Sequence, residues 1–290
     1  MTERTADPVL IVADGLARYV RSAAPVRDQA LLNPGYRREL TAAALANSCR
    51  LVDLMADLRK RLLNPPYYVV VRGLSFDPGN VLLATIASLL GEPLQPYPSE
   101  RFTVLRELRP SAVSQAPGWG VLTEWLHTDS TNWHVPHDVT LMLCRHPDEG
   151  NHGISLVLPA NDAVATLHES LGSSAVSRLR DTFLPWAIDP ALGGGIVWEP
   201  ALTDLGVRWQ LFRVVTAAET EGVSLAPSLL AFLQLVDATL SQSACIQQYL
   251  LQEHELMLIN NRMALHARGA ILDPDSSERV LVHCKLNLRR

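Results

Sequence analysis

The sequence is poor in the features that mark a disulfide scaffold, a membrane protein or a nucleic-acid binder. It has four cysteines, Cys49, Cys144, Cys245 and Cys284, far apart and with no C-x-x-C pair. A zinc-thiolate site is thereby disfavoured, and a reduced, intracellular protein is expected. The apolar stretches are broken by charge before the roughly 18 residues that a spanning helix needs. The N-terminus has no basic-then-apolar leader pattern, so a cytoplasmic protein without membrane contact is expected. No long basic run accompanies the formal net charge of -5, and nucleic acid is not an expected partner. The short clusters Arg37-Arg38 and Arg59-Lys60-Arg61 fall in helix-like segments and are expected on solvated faces. No repeat and no low-complexity linker divides the chain. One domain over residues 1–290 is expected, compatible with a homo-oligomer.

The chain does have enough material for a substantial core: 290 residues, 48% of them hydrophobic. Residues 37–62 carry Leu40, Ala43, Ala44, Leu51, Leu54, Met55 and Leu58 near a 3.6-residue period, which predicts a helix ended by Asn64-Pro65-Pro66. Tyr67–Val71 reads as a buried strand before Gly73, and residues 79–90 as an amphipathic helix closed by Gly91 and Pro93. Val139–Leu143 and Ile154–Leu158 are short strand-like runs. Residues 160–183 read as a helix or helix pair interrupted at Gly172, 207–215 as a strand, and 226–240 as a helix with Pro227 in its first turn. Strands return at Glu255–Ile259, Met263–His266 and Val280–Leu288. Strands on both sides of a helical stretch predict an α+β protein, a β-sandwich or jelly roll with helices outside.

The sharpest local feature is Trp125-Leu126-His127-Thr128-Asp129. On a strand, residues i and i+2 share a face, so His127 and Asp129 can address one metal. The pattern is common by chance and needs a third ligand, for which His266 is the candidate. Two imidazoles and a carboxylate on one face of an octahedron leave positions open for a co-substrate and O2, an arrangement suited to Fe(II). His134, His137, His146 and His152 lie nearby and are expected at the surface or behind the ligands. Arg279 follows His266 by thirteen residues and begins the apolar run Val280-Leu281-Val282. An arginine fixed beside a metal can grip a carboxylate with two parallel hydrogen bonds.

These residues resemble the taurine dioxygenase and clavaminate synthase-like family of Fe(II)/2-oxoglutarate-dependent oxygenases. The match runs from Val70-Val71-Arg72-Gly73-Leu74 through Glu124–Asp129 and Gly150-Asn151-His152-Gly153-Ile154-Ser155. It continues to Asn261-Arg262, His266-Ala267-Arg268 and Arg279. The resemblance implies a double-stranded β-helix (jelly roll) core with flanking helices. A helical N-terminal region would span about 1–65 and a helical insert about 160–250. It implies Fe(II) on His127, Asp129 and His266, with 2-oxoglutarate and O2 as co-substrates. Arg279 would hold a 2-oxoglutarate carboxylate, and Ser155 would stand where the family has a threonine whose hydroxyl bonds the co-substrate. Arg268 would be a further active-site cation. Succinate and CO2 would be released as a C–H bond of a small polar metabolite or natural-product intermediate is hydroxylated or otherwise oxidised.

Two departures narrow this expectation. His283 occupies the place of a second arginine that binds sulfonate in taurine dioxygenase, so a sulfonate is a poor substrate. The second glycine of the family's Gly-Gly-x-Thr segment is absent. Asp129 fills the position that related halogenases leave open, which favours oxygenation over chlorination. Substrate contacts are expected from loops: Gln115–Glu124 with Trp119, then Asn132, Trp133, His134 and Arg213, together with His283. A zinc hydrolase using the same ligands is a rival reading, although no His-Glu-x-x-His helix supports it. A non-catalytic binding protein on the same scaffold is another.

Overall fold

Tyr68-Val69-Val70-Val71 and Leu256-Met257-Leu258-Ile259 lack charge altogether, and only a strand covered on both faces can bury such runs. The computed structural model shows both strands covered in this way. It describes residues 7–12, 25–47, 49–75, 77, 79–96, 103–111, 124–220, 222–272 and 277–289. In chain order the elements begin with β1 (Val9–Ile11), α1 (Pro34–Asn47), α2 (Cys49–Leu63), β2 (Tyr68–Arg72), α3 (Val81–Leu90), β3 (Gly91–Leu94), β4 (Arg106–Leu108), β5 (Glu124–His127), β6 (Val139–His146) and β7 (Ser155–Pro159). They continue with α4 (Ala160–Leu171), α5 (Ser173–Asp181), β8 (Phe183–Ala187), β9 (Ile196–Pro200), β10 (Leu202–Thr203), β11 (Gly206–Val207), α6 (Leu211–Thr220) and α7 (Pro227–Ser241). The last strands are β12 (Gln247–Tyr249), β13 (Leu256–Asn260), β14 (Ala264–Arg268) and β15 (Val280–Leu288).

A seven-stranded sheet runs β1-β2-β13-β6-β15-β3 with β4 also on β15, and a four-stranded sheet runs β12-β7-β14-β5. Every pairing in these sheets is antiparallel except β1 with β2. Strand alternation then sorts the side chains. Val69, Val71, Leu256, Leu258, Val282, Cys284 and Leu286 pack with α1–α3 in one cluster. Tyr68, Val70, Met257, Ile259 and Leu281 point the other way and meet Val157 and Ala264 between the sheets. Leu158, Leu265 and Ala267 leave the outer face of the smaller sheet to join α4–α7. Two outer apolar layers therefore flank a third that fills the space between the sheets, the jelly roll with outer helices that the sequence predicts. Among the described residues no helix is long and apolar enough to cross a membrane.

Several local expectations are corrected. Residues 37–62 form two helices, α1 and α2, rather than one. The segment expected to be amphipathic at 79–90 starts at Val81 and is buried on nearly every side, since the larger sheet and α1–α2 enclose it. Asp77 caps it from outside, accepting from the backbone N–H groups of Val81 and Leu82 at 2.8 and 2.7 Å. Residues 207–215 are not a strand: β11 ends at Val207 and α6 begins at Leu211. Trp209, Leu211 and Phe212 suggest a strand, but Val214, Ala217 and Ala218 are the buried residues of the helix, at helical spacing. Arg37 and Arg59 are not simply solvated. Arg37 is buried and donates to the Leu31 carbonyl, and Arg59 donates to the carbonyls of Leu89 and Leu90 at the end of α3. Cys144, Cys245 and Cys284 are free thiols.

Candidate metal centre and co-substrate pocket

Antiparallel pairing brings the sequence-distant histidines together. His266 on β14 lies directly opposite His127 at the end of β5, with ring centroids 4.6 Å apart. Asp129 is not on the strand, as the i, i+2 argument assumes. β5 stops at His127, and Asp129 sits in the turn that follows, before Ser130 with its left-handed φ of 56°. The turn is clasped by Asn261: its Oδ1 accepts from the Asp129 N–H (2.7 Å), and its Nδ2 donates to the Asp129 and His137 carbonyls (3.1 and 3.0 Å). Asp129 Oδ1 then lies 3.9 Å from His127 Nε2, and Oδ2 lies 3.8 Å from His266 Nε2. One ligand atom from each of the three falls within 4.8 Å of the others.

The protonation states suit a divalent metal. The His127 Nδ1–H donates to the Trp125 carbonyl at 2.7 Å, which leaves the Nε2 lone pair facing Asp129. Burial, reinforced by His127, pulls the His266 imidazole down to about 3, so it stays neutral. Burial alone would raise the Asp129 carboxyl. The neighbouring Lys285 ammonium and His283 outweigh it and hold Asp129 well below the usual carboxylate range. A neutral His266 imidazole and an ionised Asp129 carboxylate are the forms in which such side chains bind metal.

The centre opens into a cavity of about 110 Å³, room for several waters and hence for a small ligand. Ser155 and Arg268 lie opposite each other on β7 and β14 and both line it. Arg279, just before β15, also lines it and donates to the Gly153 carbonyl at 3.3 Å. Gly153 has φ +68°, and a Cβ there would approach Arg279 Nε to 3.0 Å; its glycine gives the guanidinium its seat. Asp148 ties this loop to the approach to β15, accepting from the His152 N–H and the Ser277 hydroxyl. From the larger sheet come Arg106, His283 and Lys285. His283 faces Arg106 across β15 and β4, and its Nε2 is 3.6 Å from Asp129 Oδ2. Burial lowers both His283 and Lys285, and Asp129 partly restores each.

The other expected substrate residues divide. Trp119 and most of Gln115–Glu124 lie outside the described residues. His134 is exposed and does not line the cavity. Asn132 is buried and donates to Asp189 instead. Trp133 does not line the cavity; its ring sits 5.8 Å from Lys285 Nζ, and its carbonyl accepts from Arg208. Arg213 is on α6, stacked on Phe212 and away from the cavity. His137 takes the second of its two expected places, fully buried behind Asp129, where it bonds Ser130 and Thr140. Lys285, Thr140 and Arg106 were not anticipated. The signal for Lys285 was its place two residues after His283 on the same strand face.

A double-stranded β-helix carrying this ligand set beside a buried arginine defines a non-haem Fe(II) oxygenase that uses 2-oxoglutarate and O2. The chain belongs to the family described as taurine catabolism dioxygenase TauD, TfdA family, whose model matches residues 41–285. No curated protein matches its sequence. Among solved structures, asparagine oxygenase in complex with Fe(II), 2S,3S-3-hydroxyasparagine and succinate superposes with a TM-score of 0.74 at 17% identity, over 97% of this chain and 94% of that one. The non-heme iron oxygenase OrfP in complex with Fe and alpha-ketoglutaric acid gives a TM-score of 0.71 at 17% identity, again over 97% and 94%. OrfP in complex with Fe and L-Arg gives 0.68 at 14% identity, with the same coverage.

Proposed function

We propose that His127, Asp129 and His266 hold the iron and that Arg279, assisted by Ser155, anchors 2-oxoglutarate. On this reading the enzyme hydroxylates a C–H bond of a free amino acid or of a natural-product intermediate derived from one. The observation that carries it is the convergence of the three ligand atoms within 4.8 Å on a cavity that Arg279 also lines. Bound iron and 2-oxoglutarate supply the oxidising chemistry, with succinate and CO2 as by-products. The protein's residues position and enclose. Arg279 offers two parallel donors to a carboxylate, and the Ser155 hydroxyl adds a third. Leu156, Ile259 and Leu281 give the cavity apolar walls.

Charge supports an acidic substrate. Among the described residues, Arg106, Arg268, Arg279 and Lys285 face the cavity against the single carboxylate of Asp129. Iron(II) and the 2-oxoglutarate dianion would cancel each other, and a cavity wall rich in arginine and lysine suits a substrate carboxylate. His283 offers a single ring N–H donor where taurine dioxygenase has its sulfonate-gripping arginine, so a sulfonate is not favoured. Residues as far apart as Arg106 and Lys285 share the cavity, which favours one domain.

The test has two stages. Anaerobic Fe(II) and 2-oxoglutarate should give the parent protein a visible charge-transfer band, and His127→Ala should lose it along with more than about a hundredfold of activity, beyond the range of outer-shell changes. A panel of L-amino acids should then stimulate succinate formation selectively. A parent protein without the band, or one showing hydrolysis with zinc instead, would refute the oxygenase assignment.

A further inference from the structure

We infer that Lys285, Ser130, His137 and Thr140 close a hydrogen-bonded ring through both oxygens of Asp129 and so orient this carboxylate toward the metal. The inference rests on the assignment of Asp129 as an iron ligand. Thr140 Oγ1 donates to Asp129 Oδ2 at 3.0 Å. His137 Nε2 lies 2.8 Å from Thr140 Oγ1, and His137 Nδ1 lies 2.9 Å from Ser130 Oγ. Lys285 Nζ donates to Ser130 Oγ at 3.2 Å and stands 3.5 Å from Asp129 Oδ1.

The two ends set the direction of the whole ring. An ammonium has only donors and a carboxylate only acceptors. Lys285 therefore donates to Ser130. Thr140 uses its single hydrogen on Asp129, so it must accept from His137. The imidazole is then protonated at Nε2, and Nδ1 is left to accept from the Ser130 hydroxyl. With a neutral imidazole at His137, no step can be reversed without setting two donors or two acceptors against each other, so one neutral tautomer of His137 is specified.

The fold builds the ring from three places. Thr140 and Lys285 are direct partners across β6 and β15. Ser130 reaches inward from the turn after Asp129, where its left-handed backbone reverses the chain. His137 is fully buried between them. Asn261 holds the backbone of Asp129 and the ring holds its side chain, which leaves the carboxylate little rotational freedom. Thr140 and His137 are thus positioning residues that act through Asp129: Thr140 spends its single hydrogen on the carboxylate, and His137 lies behind it, off the cavity lining.

Cobalt(II) and full-length protein provide the test. In metal-free protein labelled with ¹⁵N-histidine, His137 should appear near neutral pH as the neutral Nε2–H tautomer; an Nδ1–H tautomer or an imidazolium overturns the ring. Thr140→Val keeps the shape and removes the hydroxyl. It should weaken cobalt(II) binding about tenfold to a hundredfold and shift the d–d spectrum, with Thr140→Ser restoring both. The effect of Lys285→Met on cobalt(II) affinity should differ at least about threefold between the parent and Thr140→Val backgrounds, because members of one network are not additive. Unchanged affinity in Thr140→Val, or strict additivity, overturns the ring while leaving the iron assignment intact. A parent protein that takes up no cobalt(II) overturns both.

Discussion

The smaller sheet gives the cavity His127, Ser155, His266 and Arg268, whereas the larger sheet gives it Arg106, Thr140, His283 and Lys285. The first wall carries both imidazoles proposed as iron ligands and the donors proposed to meet 2-oxoglutarate. The second carries no metal ligand; it surrounds Asp129 with donors and adds cationic groups. Arg279 joins them, leaving the larger sheet at the start of β15 and resting on Gly153 beside β7. One wall is therefore equipped for metal and co-substrate, and the other for the shared carboxylate and an incoming anion. Substitutions on the two walls should separate in their kinetics.

The largest separation is expected at the junction. Arg279→Lys keeps the charge but loses the planar fork that meets a carboxylate bidentately. Losing a charge-assisted hydrogen bond costs about 1.5–3 kcal/mol, so KM for 2-oxoglutarate should rise between about tenfold and a hundredfold, while substrate KM moves little. Equal rises in both constants would mean that Arg279 serves the cavity as a whole rather than the co-substrate.

The two walls also differ in how far the sequence discloses them. His127, Asp129 and His266 are legible because few residue types bind iron and their order along the chain is restrictive. Val139, Ser155, Leu256 and Val280 begin strands close to where the apolar runs predict, and Gly172 breaks the helix pair as expected. Lys285 and Thr140 are illegible as single residues. A lysine in a strand reads as solvent-facing, and only the β6–β15 register shows that it points inward beside Asp129. Trp209, Leu211 and Phe212 mislead for the opposite reason: aromatic and apolar residues favour a strand locally, but α6 packs Val214, Ala217 and Ala218 inward at helical spacing, which overrides it. Asp129 falls on a turn for a reason invisible at the level of spacing, namely the Asn261 clasp 132 residues away.

Protonation offers a second comparison, with His266 on the smaller sheet and His137 and His283 supported by the larger. Burial lowers all three. Each stays neutral in the folded protein while the unfolded chain takes up a proton below about pH 6.5. The unfolded state then binds more protons, so stability falls as pH falls. Between about pH 7.5 and 6.0 the three lowered histidines therefore all act in the same, destabilising direction. The raised carboxyls of Asp77, Asp162 and Asp237 act in the opposite sense and reduce the drop. Urea midpoints of metal-free protein at the two pH values measure the net effect, and a higher midpoint at pH 6.0 would contradict it. His283→Gln should remove its share of the histidine contribution.

The same substitution sharpens the division between the walls. His283 shares its strand face with Leu281 and Lys285 and faces Arg106 across the pair. It is therefore placed to meet a substrate carboxylate without reaching Ser155 or Arg268 on the opposite sheet. Glutamine retains a donor but cannot reproduce the reach and shape of the imidazole. A neutral hydrogen bond is worth about 0.5–1.5 kcal/mol, so substrate KM should rise about fivefold, with KM for 2-oxoglutarate within twofold of the parent value. Because His283 also touches Asp129, cobalt(II) affinity must be measured alongside. If metal affinity is retained and the two Michaelis constants nevertheless move together, the larger sheet is not the substrate's wall, and its positive charge serves the co-substrate instead.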